Sequence, residues 1–174
     1  MVHERVLVST SPEATESLAE TLGRSLVAGD VVALEGELGS GKTCFVRGLA
    51  RGLGIEGGVT SPTYTLMQSY DQEDGARVPL EHYDAYMEGR ERAFLLDGGC
   101  EGIGGDAVSV IEWAERVAEF LPEPRLRVRL AHLARDGEPE RRRIELAVLG
   151  RGRRAEELVA LVGGVEGPGL VGDP

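Results

Sequence analysis

The stretch Val31-Val32-Ala33-Leu34-Glu35-Gly36-Glu37-Leu38-Gly39-Ser40-Gly41-Lys42-Thr43 decides the fold. Val31 to Leu34 are a short apolar run flanked by turn residues, which marks a strand buried on both faces. Gly36 to Thr43 then match G-x-x-x-x-G-K-[ST], a pattern whose glycines let successive backbone N–H groups turn inward around an anion. Behind the loop, Phe45, Val46, Leu49, Ala50 and Leu53 recur at helical spacing, with Gly54 as a C-cap, so the helix N-terminus adds partial positive charge to the same place. Strand, glycine loop and helix follow one another in the order a phosphate cradle requires. The expected fold is therefore α/β, a P-loop nucleoside triphosphatase fold with a mixed central sheet flanked by helices and a C-terminal antiparallel hairpin.

Working outward, residues 6–8 read as a strand. Ser11-Pro12 open a helix whose face is Ala14, Leu18, Leu22 and Leu26, closed by Gly29-Asp30. Residues 63–70, after the Ser61-Pro62 break, and 78–83 read as a hairpin around the polar turn 71–75. A short helix over 91–96 and a glycine-rich loop over 98–105 precede the buried run Val108-Ser109-Val110-Ile111, which ends at Glu112. A helix over 114–120 stops at Pro122. Leu126, Val128 and Leu130 then alternate with Arg125, Arg127 and Arg129, the turn is 135–139, and Ile144, Leu146 and Val148 alternate on the return. A last helix spans 154–162. Residues 1–162 are expected to form one domain, and the Gly/Pro-rich tail 163–174 to be disordered.

Thirty acidic against nineteen basic residues give a net charge of −11, which opposes attraction to nucleic-acid phosphates, so any role with RNA is expected to be indirect. The sequence has no bilayer-spanning apolar run and no leader pattern, which makes the cytoplasm the expected location and a membrane role unexpected. Cys44 and Cys100 have no C-x-x-C partner and read as reduced thiols. The chain contains no asparagine, hence no Asn-Lys-x-Asp guanine-reading motif. It has eighteen arginines and one lysine, and that lysine is Lys42; a compact ammonium suits a phosphate cradle where a planar guanidinium does not.

In such a loop Lys42 would neutralise phosphate oxygens and the Thr43 hydroxyl would take one position of a Mg²⁺. Hydrolysis also needs an acid at a buried strand end. Glu112 is the candidate, against the alternative of a first-turn helix glutamate favoured by the dipole. Trp113 beside it is a core or interface aromatic by default. Asp84, in His82-Tyr83-Asp84-Ala85-Tyr86, is a catalytic or a surface aspartate, and His82 reads equally as a core histidine. Ser61-Pro62-Thr63-Tyr64-Thr65 is either a switch segment closing on a phosphate or a strand-entry turn. A small-molecule kinase and a non-catalytic nucleotide-gated binding module are the alternative functions.

Together GELGSGKTCFVRGLARGLGI, SPTYTL, HYDAY and VIEWAERV closely resemble the bacterial TsaE family, the ATPase component of tRNA threonylcarbamoyladenosine biosynthesis, from about Ser9 to Leu149. The resemblance implies ATP and Mg²⁺ as cofactors, with Glu37, Leu38, Gly39, Ser40, Gly41, Lys42, Thr43 and Cys44 forming the phosphate site. It implies metal ligation by Thr43 and Glu112, switch roles for Thr63 and Asp84, Trp113 near the nucleotide, and Thr15 near the adenine. Lys42, Thr63, Asp84 and Glu112 become the expected catalytic set. It further implies action with the proteins TsaD and TsaB, which transfer threonylcarbamoyl to adenosine 37 of tRNA. The chain departs from the family pattern at Met87, where an arginine is usual, and at Cys44, where a second threonine is usual.

Overall fold

The computed structural model describes residues 3–62, 66–71, 76–86, 101–133 and 140–172. The elements are β1 (His3–Ser9), α1 (Pro12–Gly23), β2 (Val31–Glu35), α2 (Lys42–Gly52), β3 (Met67–Tyr70), β4 (Leu80–Asp84), β5 (Val108–Glu112), β6 (Arg125–His132), β7 (Arg142–Leu149), α3 (Arg153–Gly163) and β8 (Leu170–Gly172). All the strands join one mixed sheet in the order β3-β4-β5-β2-β6-β7-β1-β8. The central four, β4-β5-β2-β6, are parallel, while β3 on one side and β7, β1 and β8 on the other run antiparallel to their neighbours.

Strand alternation explains how the core is divided. Val32 and Leu34 of β2 face the larger cluster, with Leu18 and Leu22 of α1 and Phe45 and Leu49 of α2. Val31 and Ala33 face the second, with Tyr83, Ile111 and Val117. Both faces of β2 are covered, as its unbroken apolar run implies. Ser11 caps α1 by accepting from the Ala14 N–H at 3.2 Å. Helix α1 lies on α2 almost backbone to backbone: a Cβ on Gly48 would meet the Glu16 carbonyl oxygen at 2.2 Å.

Three expectations are corrected. Helix α1 ends at Gly23 rather than at Gly29-Asp30; Leu26 is buried all the same, carried inward by turns in which Ser25 N–H donates to Leu22 O and Leu26 N–H to Gly23 O. Residues 114–120 form two 3₁₀ turns, Ala114–Arg116 and Ala118–Phe120, in place of a helix. The tail is not wholly disordered, because β8 pairs with β1 through Leu7↔Gly172, Val8↔Val171 and Ser9↔Leu170. In the hairpin β6–β7, Arg129 pairs with Glu35 and Glu145, Arg127 with Glu4, and Arg143 with Glu145. The expected helix over 91–96, the turn 135–139, Met87 and Cys100 lie outside the described residues. No described helix is long and apolar enough to cross a membrane.

Candidate functional site

Parallel pairing places the C-terminal ends of β2, β4 and β5 side by side, with Leu34 in register with Glu112 and Asp84 in register with Glu112. Ligands of open α/β sheets bind beyond such strand ends. The glycine loop leaves β2 there. Gly36 has φ +141°, and a Cβ on it would come within 2.3 Å of the Leu130 carbonyl oxygen and 2.7 Å of Ser40 Oγ, so the first loop position admits glycine alone. Gly41, at φ +106°, is the N-cap of α2 and, as a glycine, brings no capping side chain.

Lys42 is 5% exposed. Its Nζ donates to the carbonyls of Gly36 at 2.6 Å and Glu37 at 2.9 Å and stands 3.7 Å from the centre of the Trp113 ring. Burial draws its pKa below the ordinary lysine range, while the charges of Glu112, Glu115 and Asp84 act in the opposite direction. Trp113 takes a left-handed backbone (φ 59°), uncommon for a bulky residue, as the chain turns off β5. Its ring is 4.6 Å from that of Tyr86, over which Arg116 lies at 4.8 Å.

Thr43 Oγ1 donates to both oxygens of Glu112, at 3.0 and 3.2 Å, and His82 Nε2 lies 2.9 Å from Glu112 Oε1. Asp84 is 2% exposed; its Oδ2 accepts from Ser61 Oγ at 3.1 Å and its Oδ1 from the Tyr86 N–H at 2.8 Å. Lys42, Thr43, Asp84, Glu112 and Trp113 are thus brought together, whereas Thr63 lies outside the described residues.

Two expected positions face elsewhere. Thr15 is buried, its hydroxyl 2.7 Å from Ser9 Oγ, so as placed it presents no surface to a base. Cys44 Sγ donates to the Pro12 carbonyl at 3.4 Å, and burial and the neighbouring Glu16 carboxylate raise its thiol pKa. Sequence reasoning missed Arg142, whose Nε donates to the Ser40 carbonyl at 3.2 Å across 102 residues of chain, and treated His82 as optional. A local pattern carries no signal for the first; the H-x-D spacing was available for the second.

The residues present fit a phosphate chain with its cation. Ser40 Oγ is buried in the loop with no hydrogen-bond partner among the described residues. A cleft of about 540 Å³ beside the loop is lined by Glu37, Ser40, Trp113, Arg129 and His132, among others. Among the described residues no three His, Cys, Asp or Glu groups form a metal cage.

The mixed sheet, its helices and the glycine loop at its central strand end define an α/β protein with its candidate site at the strand ends. The family model "Threonylcarbamoyl adenosine biosynthesis protein TsaE" matches residues 9–144. The tRNA threonylcarbamoyladenosine biosynthesis protein TsaE of Treponema pallidum is 45% identical over 76% of this chain and 95% of its own. That of Bacillus subtilis is 39% identical over 86% and 88%. The crystal structure of YdiB from Bacillus subtilis superposes with a TM-score of 0.72 at 31% identity, covering 94% of this chain and 98% of that one. The chain belongs to the TsaE family, whose role is in tRNA threonylcarbamoyladenosine biosynthesis.

Proposed function

We propose that the chain binds ATP with Mg²⁺ and hydrolyses it slowly, in support of the TsaD and TsaB proteins that form threonylcarbamoyladenosine on tRNA. The observation that carries the reading is the bond from Thr43 Oγ1 to Glu112, which joins the glycine-loop helix to the neighbouring strand end. A hydroxyl that donates its hydrogen to this carboxylate keeps its lone pairs for a cation. Lys42 holds the phosphate oxygens as an ammonium anchored by two loop carbonyls. Thr43 and Glu112 hold the metal, which supplies charge neutralisation at the phosphates when bound. Asp84, which accepts from Ser61 Oγ and from the Tyr86 N–H, would orient a water, and Thr63 would belong to the closing segment.

The test is phosphate release from ATP, with and without Mg²⁺, and with and without TsaD and TsaB. Release that requires Mg²⁺ and rises with the partners is the expected result. Nucleotide-dependent association without release would point to a binding module, and consumption that requires a nucleoside or sugar acceptor would point to a kinase. Loss of the gene product should lower tRNA threonylcarbamoyladenosine, and an unchanged level would overturn the pathway role.

A further inference from the structure

Glu112 has two anchors from different elements, and the second is unassigned. Thr43 Oγ1 reaches it from α2, and His82 Nε2 lies 2.9 Å from Oε1 from β4. His82 is fully buried, and its Nδ1 has no hydrogen-bond partner among the described residues. The ring protons have one satisfactory arrangement. Thr43 donates to the carboxylate, so Glu112 is the acceptor and His82 Nε2 must carry the hydrogen. A hydrogen on Nδ1 instead would leave a buried N–H unsatisfied and aim a lone pair at a carboxylate oxygen.

The two carboxylate oxygens are then unequal. Oε1 accepts from His82 at 2.9 Å and from Thr43 at 3.0 Å, while Oε2 receives only the longer Thr43 contact at 3.2 Å. Oε2 keeps the greater acceptor capacity. Glutamate also has one more rotatable bond than the aspartate that commonly serves at this strand end, so it needs fixing from a second side. We infer that His82 is the positioning residue of the Mg²⁺ carboxylate, donating from Nε2 to Glu112 Oε1 so that Oε2 is left to the cation. This rests on the ATP and Mg²⁺ reading above.

Two measurements test it. The first needs no ligand: the side-chain ¹⁵N shifts of the three histidines in the free protein, with His82 assigned through its loss in His82→Gln. A protonated-type Nε2 and a bare-type Nδ1 are expected, and the opposite tautomer overturns the proposal. The second is Mg²⁺ titration of nucleotide binding followed through Trp113 fluorescence, in wild type, His82→Gln and His82→Leu. Loss of the donor in His82→Leu should raise the half-saturating Mg²⁺ about tenfold or more, with binding in EDTA within about twofold of wild type. His82→Gln, whose amide can donate from a similar position, should recover most of the Mg²⁺ dependence. Unmoved Mg²⁺ curves in both variants overturn the His82 assignment alone. A wild type that binds nucleotide without any Mg²⁺ dependence removes the functional reading and the metal role with it. Should His82→Leu fail to fold, the tautomer and the His82→Gln curve still decide, a large shift in His82→Gln counting against the proposal.

Discussion

Lys42, the one lysine of the sequence, is buried within the glycine loop. Its ammonium is held by two carbonyls and an aromatic face before any phosphate is considered, so Lys42→Ala should reduce ATP hydrolysis by about a hundredfold or more while the fold persists. Wild-type phosphate release in that variant would remove the assignment. Cys44, the residue after Thr43, behaves differently. Burial and Glu16 disfavour its thiolate, so alkylation at neutral pH should be slower than that of free cysteine and should accelerate as pH rises past the ordinary thiol range. Peptide mass spectrometry over time would check it, fast labelling at neutral pH being the contrary result. Thr15, which the resemblance puts near the adenine, is buried with its hydroxyl engaged by Ser9.

At the scale of elements, local pattern was a good guide wherever the determining contacts are local. The unbroken apolar run of β2, the glycines after it and the helical spacing of Phe45, Leu49 and Leu53 give the loop and both its flanks within about two residues of the observed bounds. It failed where distant chain decides. The Leu26 position continues the period of α1, yet the helix has already ended, and the contact from Arg142 to Ser40 crosses 102 residues. Two substitutions test the close approaches. Gly36→Ala must push the loop off the Leu130 carbonyl, with strain on the order of 1–3 kcal/mol, and should weaken nucleotide binding as well as lower the denaturation midpoint. Gly48→Ala drives a methyl into the Glu16 carbonyl at the α1–α2 contact; it should lower stability by about 1–3 kcal/mol in chemical denaturation, and an unchanged midpoint would refute the packing argument.

Across the whole molecule, the C-terminal segment is fastened to the start of β2, the strand end opposite the glycine loop, by Arg154 of α3, whose Nε and Nη2 donate to buried Asp30. Arg154→Met would leave that buried carboxylate without its counter-charge, with the Val27 N–H still donating to Oδ2. A loss of about 3 kcal/mol is expected in equilibrium unfolding; a change within about 0.5 kcal/mol, the range of an ordinary surface substitution, would show the pair to be dispensable. The same scale explains why the tail was misread. Glycine and proline between 163 and 174 signal disorder by composition, whereas the open edge of β1 offers pairing that no local window contains. In the β6–β7 hairpin Arg127, Arg129 and Arg143 pair with the carboxylates of Glu4, Glu35 and Glu145 in the same sheet, and no local window of sequence contains the first two of these contacts.

The single lysine has a practical meaning as well. Within these 174 residues a lysine-specific endoprotease has one bond to cut, Lys42–Thr43, and that bond lies in the first turn of a helix with its recognition side chain buried. Cleavage therefore requires the loop to open, and two fragments on a gel become a clock for that opening. An amine-acylating reagent has the same lone side chain to find. The chain contains, without engineering, a built-in reporter of how often its own cradle comes undone.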